Sequence, residues 1–149
     1  MLFIQTNRFK KRCFPLSNTK TRFCRAHGII LIDIGMSVKK AGEIYFSMGQ
    51  VVMSHPEGPC FKCLDFITDR DLEIEASKYG AIGIRQQVAS INGMLANTAV
   101  TLGIQLLSDN WIKEKRTIFY KTYDGNKLDL VDHPKASTHL LIESKCSHY

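Results

Sequence analysis

Two cysteines at the spacing Cys60-Phe61-Lys62-Cys63 are the strongest chemical signal in the chain. They follow His55-Pro56-Glu57-Gly58-Pro59, whose Pro and Gly content marks a loop. Loop thiols two residues apart can grip one tetrahedral metal ion. A redox pair has the same spacing, but it opens a helix whose dipole lowers one thiol pKa, and no helix signal follows Cys63. Two purely structural thiols are the third reading. A zinc ion needs two further ligands, and Cys146 and His148, close together near the C-terminus, are the best placed. Cys13 and Cys24 are weaker candidates. Cys24 falls on the inner face of an expected first helix, where a thiol packs as a small hydrophobe.

Asp33 closes a run of aliphatic residues and is a candidate of another kind, because ligands of α/β sheets bind at strand C-terminal ends. Capping a turn is its alternative role. Asp69, Asp71, Glu73 and Glu75 form an acid-rich run that reads as a solvated helix face. There is no G-x-G-x-x-G, no phosphate-binding G-x-x-x-x-G-K-[ST], no H-E-x-x-H and no G-x-S-x-G. Gly80-Ala81-Ile82-Gly83 follows no strand signal and precedes no Lys, so it is not a phosphate loop by position.

The elements that must carry these residues fit one domain: the chain has 149 residues, 44% of them hydrophobic and 23% charged. The longest aliphatic stretch, near Ile29–Ile32, falls far short of the roughly 20 residues of a membrane span. Five scattered cysteines do not make a disulfide scaffold and suit free thiols or a metal site in a reducing compartment, hence the cytoplasm. The net charge of +6 belongs to the N-terminal end, where residues 1–40 hold nine Lys or Arg and one acid, Asp33. A solvated, poorly ordered tail over residues 1–17 accounts for it. A nucleic-acid patch and a transit peptide are the competing readings.

Asn18 to His27 reads as a helix capped by Asn18 and stopped by Gly28. Ile29 to Ile34 reads as a strand buried on both faces, and hence as part of a parallel sheet. Glu43–Met48 and Gln50–Ser54 read as two β segments broken at Gly49. Asp69 to Lys78 suits a short helix. From Val88 to Leu107, apolar residues recur at helical spacing with almost no charge opposite, and Gly93 and Gly103 suggest a close backbone contact. Thr117–Tyr123 and Lys127–Val131 flank Asp124-Gly125-Asn126 as a hairpin.

The succession Ile29–Met36, Gly49-Gln50-Val51, Gly58-Pro59-Cys60-Phe61-Lys62-Cys63-Leu64, Tyr79-Gly80, Gln87–Gly93 and Tyr123-Asp124-Gly125 resembles the C-terminal half of the ThiF/MoeB/HesA family, bacterial relatives of ubiquitin-activating enzymes. The resemblance covers residues 18–131 and implies a partial Rossmann-like α/β fold, a parallel sheet with an antiparallel extension, in a homo-oligomer or with a complementary chain. Family members use ATP and magnesium to adenylate the C-terminus of a ubiquitin-like or sulfur-carrier protein. The adenylation residues precede the helix beginning here at Asn18, and no acid occurs in residues 1–32, so none carries over. Cys60 and Cys63 match the family's first zinc pair. The second pair falls in the polar tail, residues 132–149, where Cys146 stands without its partner and His148 is the nearest donor. The expectation is therefore either an orphaned adenylyltransferase half, inactive alone, or a non-catalytic zinc-stabilised module for dimerisation or partner binding.

Overall fold

The computed structural model describes residues 1–8, 14–66, 68, 89–108, 117–137, 146 and 148. Its elements are β1 (Leu2–Arg8), α1 (Phe14–Ala26), β2 (Ile30–Ala41), β3 (Ile44–Ser54), α2 (Ala89–Leu106), β4 (Tyr120–Asp124), β5 (Asp129–Asp132) and a short 3-10 turn, Pro134–Ser137. The strands form one sheet in chain order, β1 to β5.

The expected parallel sheet is corrected. β2, β3, β4 and β5 run antiparallel to one another, and only β1 joins in parallel, against β2. The aliphatic run does lie in a strand buried on both faces, but double burial does not fix strand direction. Connection length does. Only Gly42 and Glu43 separate β2 from β3, and a parallel neighbour needs a crossover of about a dozen residues or more. Gly42 takes the left-handed backbone (φ 63°) that so tight a hairpin requires. The crossover that is long enough, α1, joins β1 to β2. Residues 1–17, read as an irregular basic tail, thus include an edge strand and the start of α1. The outer edge of β2 is paired with β1 from Leu2↔Ile30 to Arg8↔Met36.

Two apolar layers sandwich the sheet. On one side Ile32, Ile34, Met36, Val51 and Met53 meet Ile91, Leu95, Ala99, Leu102 and Leu106 of α2. The helical periodicity read from the sequence is the buried face of this helix; Val88 lies outside the described residues. β3 runs unbroken through Gly49, and this glycine is a seat rather than a bulge: a Cβ there would stand 2.6 Å from Leu95 Cδ1. Gly103 is the close approach of α2 to β1, with Leu2 Cδ2 2.9 Å from the position of its missing Cβ. On the other side Cys24 and Ile29 join Leu31, Val52, Phe61, Leu64, Phe66 and Tyr120. The acidic run from Asp69 and the helix expected there lie outside the described residues. No helix among the described residues is long and apolar enough to cross a membrane.

Leu95 is fully buried at the centre of the α2 layer. Leu95→Ala is expected to lower stability by about 2–5 kcal/mol. Urea unfolding should show this as a lower midpoint with an unchanged slope.

Candidate metal centre

The segment after β3 is shaped by three sets of contacts. First, Arg25, in the last turn of α1, donates from Nη1 to the carbonyls of His55 (2.5 Å) and Gly58 (3.0 Å), and from Nη2 to the carbonyl of Pro56 (3.0 Å). Second, Gly58 lies against Thr117, where a Cβ would meet a backbone oxygen at 2.6 Å. Third, the chain coils tightly, with the N–H of Leu64 donating to the carbonyl of Cys60 (3.1 Å) and that of Phe66 to Phe61 (2.9 Å). Asp65 takes a positive φ of 51° to complete this knuckle. Its carboxylate is bridged at 2.5 Å by Lys135 of the 3-10 turn.

Apolar side chains anchor the knuckle. Phe61 and Leu64 are fully buried, and Phe61 meets Phe66 edge-on with ring centroids 4.9 Å apart. Phe66 in turn lies perpendicular to Tyr120 of β4. With Phe61 and Leu64 in the core, Cys60 and Cys63 are set side by side at the end of the loop. Cys60 Sγ lies 3.6 Å from Cys63 Sγ.

Cys146 and His148 come to the same place from the far end of the chain. Cys63 Sγ is 3.7 Å from Cys146 Sγ and 3.3 Å from His148 Nδ1. Cys60 Sγ is 3.6 Å and Cys146 Sγ 3.9 Å from that nitrogen. All four donor atoms lie within 4.8 Å of one another. A tetrahedral zinc site with Zn–S of about 2.3 Å and Zn–N of about 2.0 Å has edges of about 3.8 Å between sulfurs and about 3.5 Å between sulfur and nitrogen. The observed separations match those edges and are far longer than a disulfide bond. Cys60, Cys63, Cys146 and His148 can therefore hold a metal ion such as zinc.

The electrostatics suit a cation. Burial pushes the Cys60 thiol up to about 12, helped by the neighbouring sulfurs of Cys63 and Cys146 and opposed by a backbone hydrogen bond from Cys63. Burial also raises Cys146, but the backbone N–H of His148 and the side chains of Cys60, His148 and Cys63 outweigh it and hold this thiol at about 6. Without a metal the cluster is a thiolate at Cys146 beside a protonated Cys60. A divalent ion supplies the charge that lets every sulfur ionise.

The other candidates lie elsewhere. Cys24 is buried among Ile29, Leu31 and Phe61, and burial raises its pKa. Cys13 is outside the described residues. Asp33 is corrected in position: it is an interior residue of β2, level with Gln5 of β1 and Val52 of β3, with no solvent exposure. It does not stand at a strand end where a ligand binds. Among the described residues the Cys/His cluster is the group placed to hold a metal ion, and nothing there supports the ATP and magnesium that the resemblance implies. Arg25 is the contributor that the sequence reading counted only as charge. Its partners are backbone carbonyls, and the one available signal was a cation at a helix end with no acid nearby.

Fold and site together define a mostly antiparallel α/β domain bearing a Cys3His knuckle. No family model matches the chain, and a search of curated proteins returned no significant match.

The chain is expected to bind one zinc ion, and Cys60→Ser, Cys63→Ser and Cys146→Ser each to lose it while Cys24→Ser keeps it, as read by metal analysis of the purified proteins. Binding should release protons, because Cys60 is protonated at neutral pH. Zinc affinity should therefore fall as pH falls, measured by competition with a chromophoric chelator.

Proposed function

We propose that the chain is a non-catalytic protein-binding module stabilised by a structural zinc ion. The carrying observation is that four protein donors converge on one point, which fills a tetrahedral shell. Catalytic zinc sites keep a position open for water or substrate, and a closed Cys3His set does not. Bound there, zinc supplies a cross-link and a counter-charge. Cys60 and Cys63 hold it from the knuckle, and Cys146 and His148 bring the C-terminal end of the chain to them.

That cross-link joins residues more than eighty positions apart and encloses α2, β4 and β5 between its ends. Closing so long a loop lowers the entropy of the unfolded chain, which is how such a clasp stabilises. A metal site also adds its binding free energy to folding. In this reading the likeness to the ThiF/MoeB/HesA family is one of local motifs and brings no activity with it. The glycine-rich loop, the phosphate-binding cations and the magnesium acid that adenylation requires have no counterpart in this sequence, so no reaction step is assigned to ATP.

Removing zinc with a strong chelator is expected to lower the thermal midpoint by more than about 5 °C, and readdition of zinc to restore it. Calorimetry with ATP and magnesium should show no binding heat. A metal-free protein of unchanged stability, or pyrophosphate release with ATP and a carrier protein, would overturn the proposal.

A further inference from the structure

Three of the four donors in the cluster are sulfur, and sulfurs this close can also bond to one another. Two pairs stand within reach: Cys60 and Cys63 at 3.6 Å, and Cys63 and Cys146 at 3.7 Å. A disulfide brings its sulfurs to about 2 Å. Distance does not choose between the pairs, but their surroundings and their place in the chain do.

Cys60 has no solvent exposure, whereas Cys63 and Cys146 are both partly exposed. An oxidant arriving from solvent meets the second pair before it meets Cys60. The chain separates the pairs as well. Cys60 and Cys63 are both built into the knuckle, each next to a fully buried side chain, Phe61 and Leu64. The hydrogen bond from the N–H of Leu64 to the carbonyl of Cys60 closes the turn between them. Drawing these two sulfurs together bends a turn that the core holds in shape. Cys146 comes from the far end of the chain, so its sulfur approaches Cys63 without altering that turn.

We propose that Cys63 and Cys146 are a site of reversible oxidation by hydroperoxides, and that their disulfide replaces zinc as the clasp between the knuckle and the C-terminal end. The inference rests on reading the four side chains as a zinc site. In the first step one of the two thiolates attacks the peroxide. An S–O bond forms, the O–O bond breaks and hydroxide leaves, so that sulfur, now a sulfenic acid, has lost two electrons. In the second step the other thiolate attacks this sulfur. The S–S bond forms, the S–O bond breaks and a second hydroxide leaves. Each hydroxide takes up a proton, so two thiolates and one hydrogen peroxide give a disulfide and two waters. Either sulfur can react first with the same product.

Zinc then keeps only Cys60 and His148, two donors where four closed its shell, and is released. The cross-link survives. Residues 83 positions apart are joined by a covalent bond instead of through the ion, with α2, β4 and β5 still enclosed between them. A bond between Cys60 and Cys63 has the opposite effect: it closes a loop of three positions and frees the C-terminal end from the knuckle. A thiol reductant reverses the Cys63–Cys146 bond by exchange and returns both sulfurs to the metal.

The test treats the zinc-loaded full chain with excess hydrogen peroxide and follows zinc with a chromophoric chelator. Trypsin separates the three sulfurs, because Lys62 precedes Cys63 and Lys145 precedes Cys146. The non-reduced digest is expected to contain residues 63–70 joined to residues 146–149. Free thiols should fall from the chain's five by the two of one disulfide as the ion is released. The thermal midpoint of the oxidised, zinc-free chain should stay above that of the reduced chain stripped by chelator. Dithiothreitol with zinc should restore thiols and metal together. Cys146→Ser should remain at the midpoint of the stripped chain with or without peroxide.

Residues 41–62 joined to 63–70 would overturn the inference, because that is the Cys60–Cys63 bond. So would an oxidised chain no more stable than the stripped one, or a zinc-loaded chain whose thiols and metal survive peroxide. Each of these leaves the metal reading standing. A chain that binds no zinc overturns the metal reading, and a link between 63–70 and 146–149 formed in it would still uphold the pair.

Discussion

β2 is enclosed on four sides, and the rest of the molecule is arranged to enclose it. Leu31 and Ile32 have no solvent exposure although they point to opposite faces of the sheet. A strand of this kind needs a layer above and below and a partner along each edge. The edges are closed by β1 and β3, one through the α1 crossover and the other through a two-residue turn. α2 covers one face. The other is covered partly by α1 and partly by Phe61, Leu64 and Phe66, which belong to the metal knuckle itself. The candidate site is therefore part of the core's second layer, and its geometry inherits the rigidity of that packing.

This dependence runs both ways. The knuckle is short and carries no regular element, so it cannot hold its shape by backbone ladders alone. Its order comes from two buried rings and a leucine on the inside, a carbonyl clamp from α1, and the ion pair of Asp65 with Lys135 at its exit. Stacking of His133 on Tyr120, with ring centroids 4.1 Å apart, carries the same surface on to the 3-10 turn. Metal ligands and core thus share residues one position apart, Cys60 beside Phe61 and Cys63 beside Leu64.

What the sequence made legible was periodicity and local turn chemistry. The α2 helix was readable because its buried residues recur every three or four positions, and the β4–β5 hairpin because Asp124-Gly125-Asn126 has few other uses. The buried run at β2 was readable as a strand but not in direction, since a strand covered on both faces has the same composition with either neighbour; the two residues between Ala41 and Ile44 held that information. β1 was hidden by the basic residues that follow it, which drew the whole N-terminal stretch into one reading. At the site, Cys60 and Cys63 were marked by spacing, and Cys146 and His148 by being the nearest donors at the other end. Asp33 misled because the strand runs on past Gly35 to Ala41. Arg25 was invisible in principle: a carbonyl is carried by every residue, so sequence does not show which ones a guanidinium will choose.

The clamp of Arg25 gives the two halves of the knuckle unequal dependence on the ion. The metal-binding half consists of groups that take up protons, and acid competes directly with the ion. The loop half is held by a guanidinium donating to three backbone carbonyls, none of which belongs to the metal-binding set. Loss of the ion removes none of these hydrogen bonds, so the hold of α1 on the loop leading into Cys60 does not depend on the metal. The empty knuckle is then a prepared seat, and its refilling does not have to wait for the loop before it to fold again.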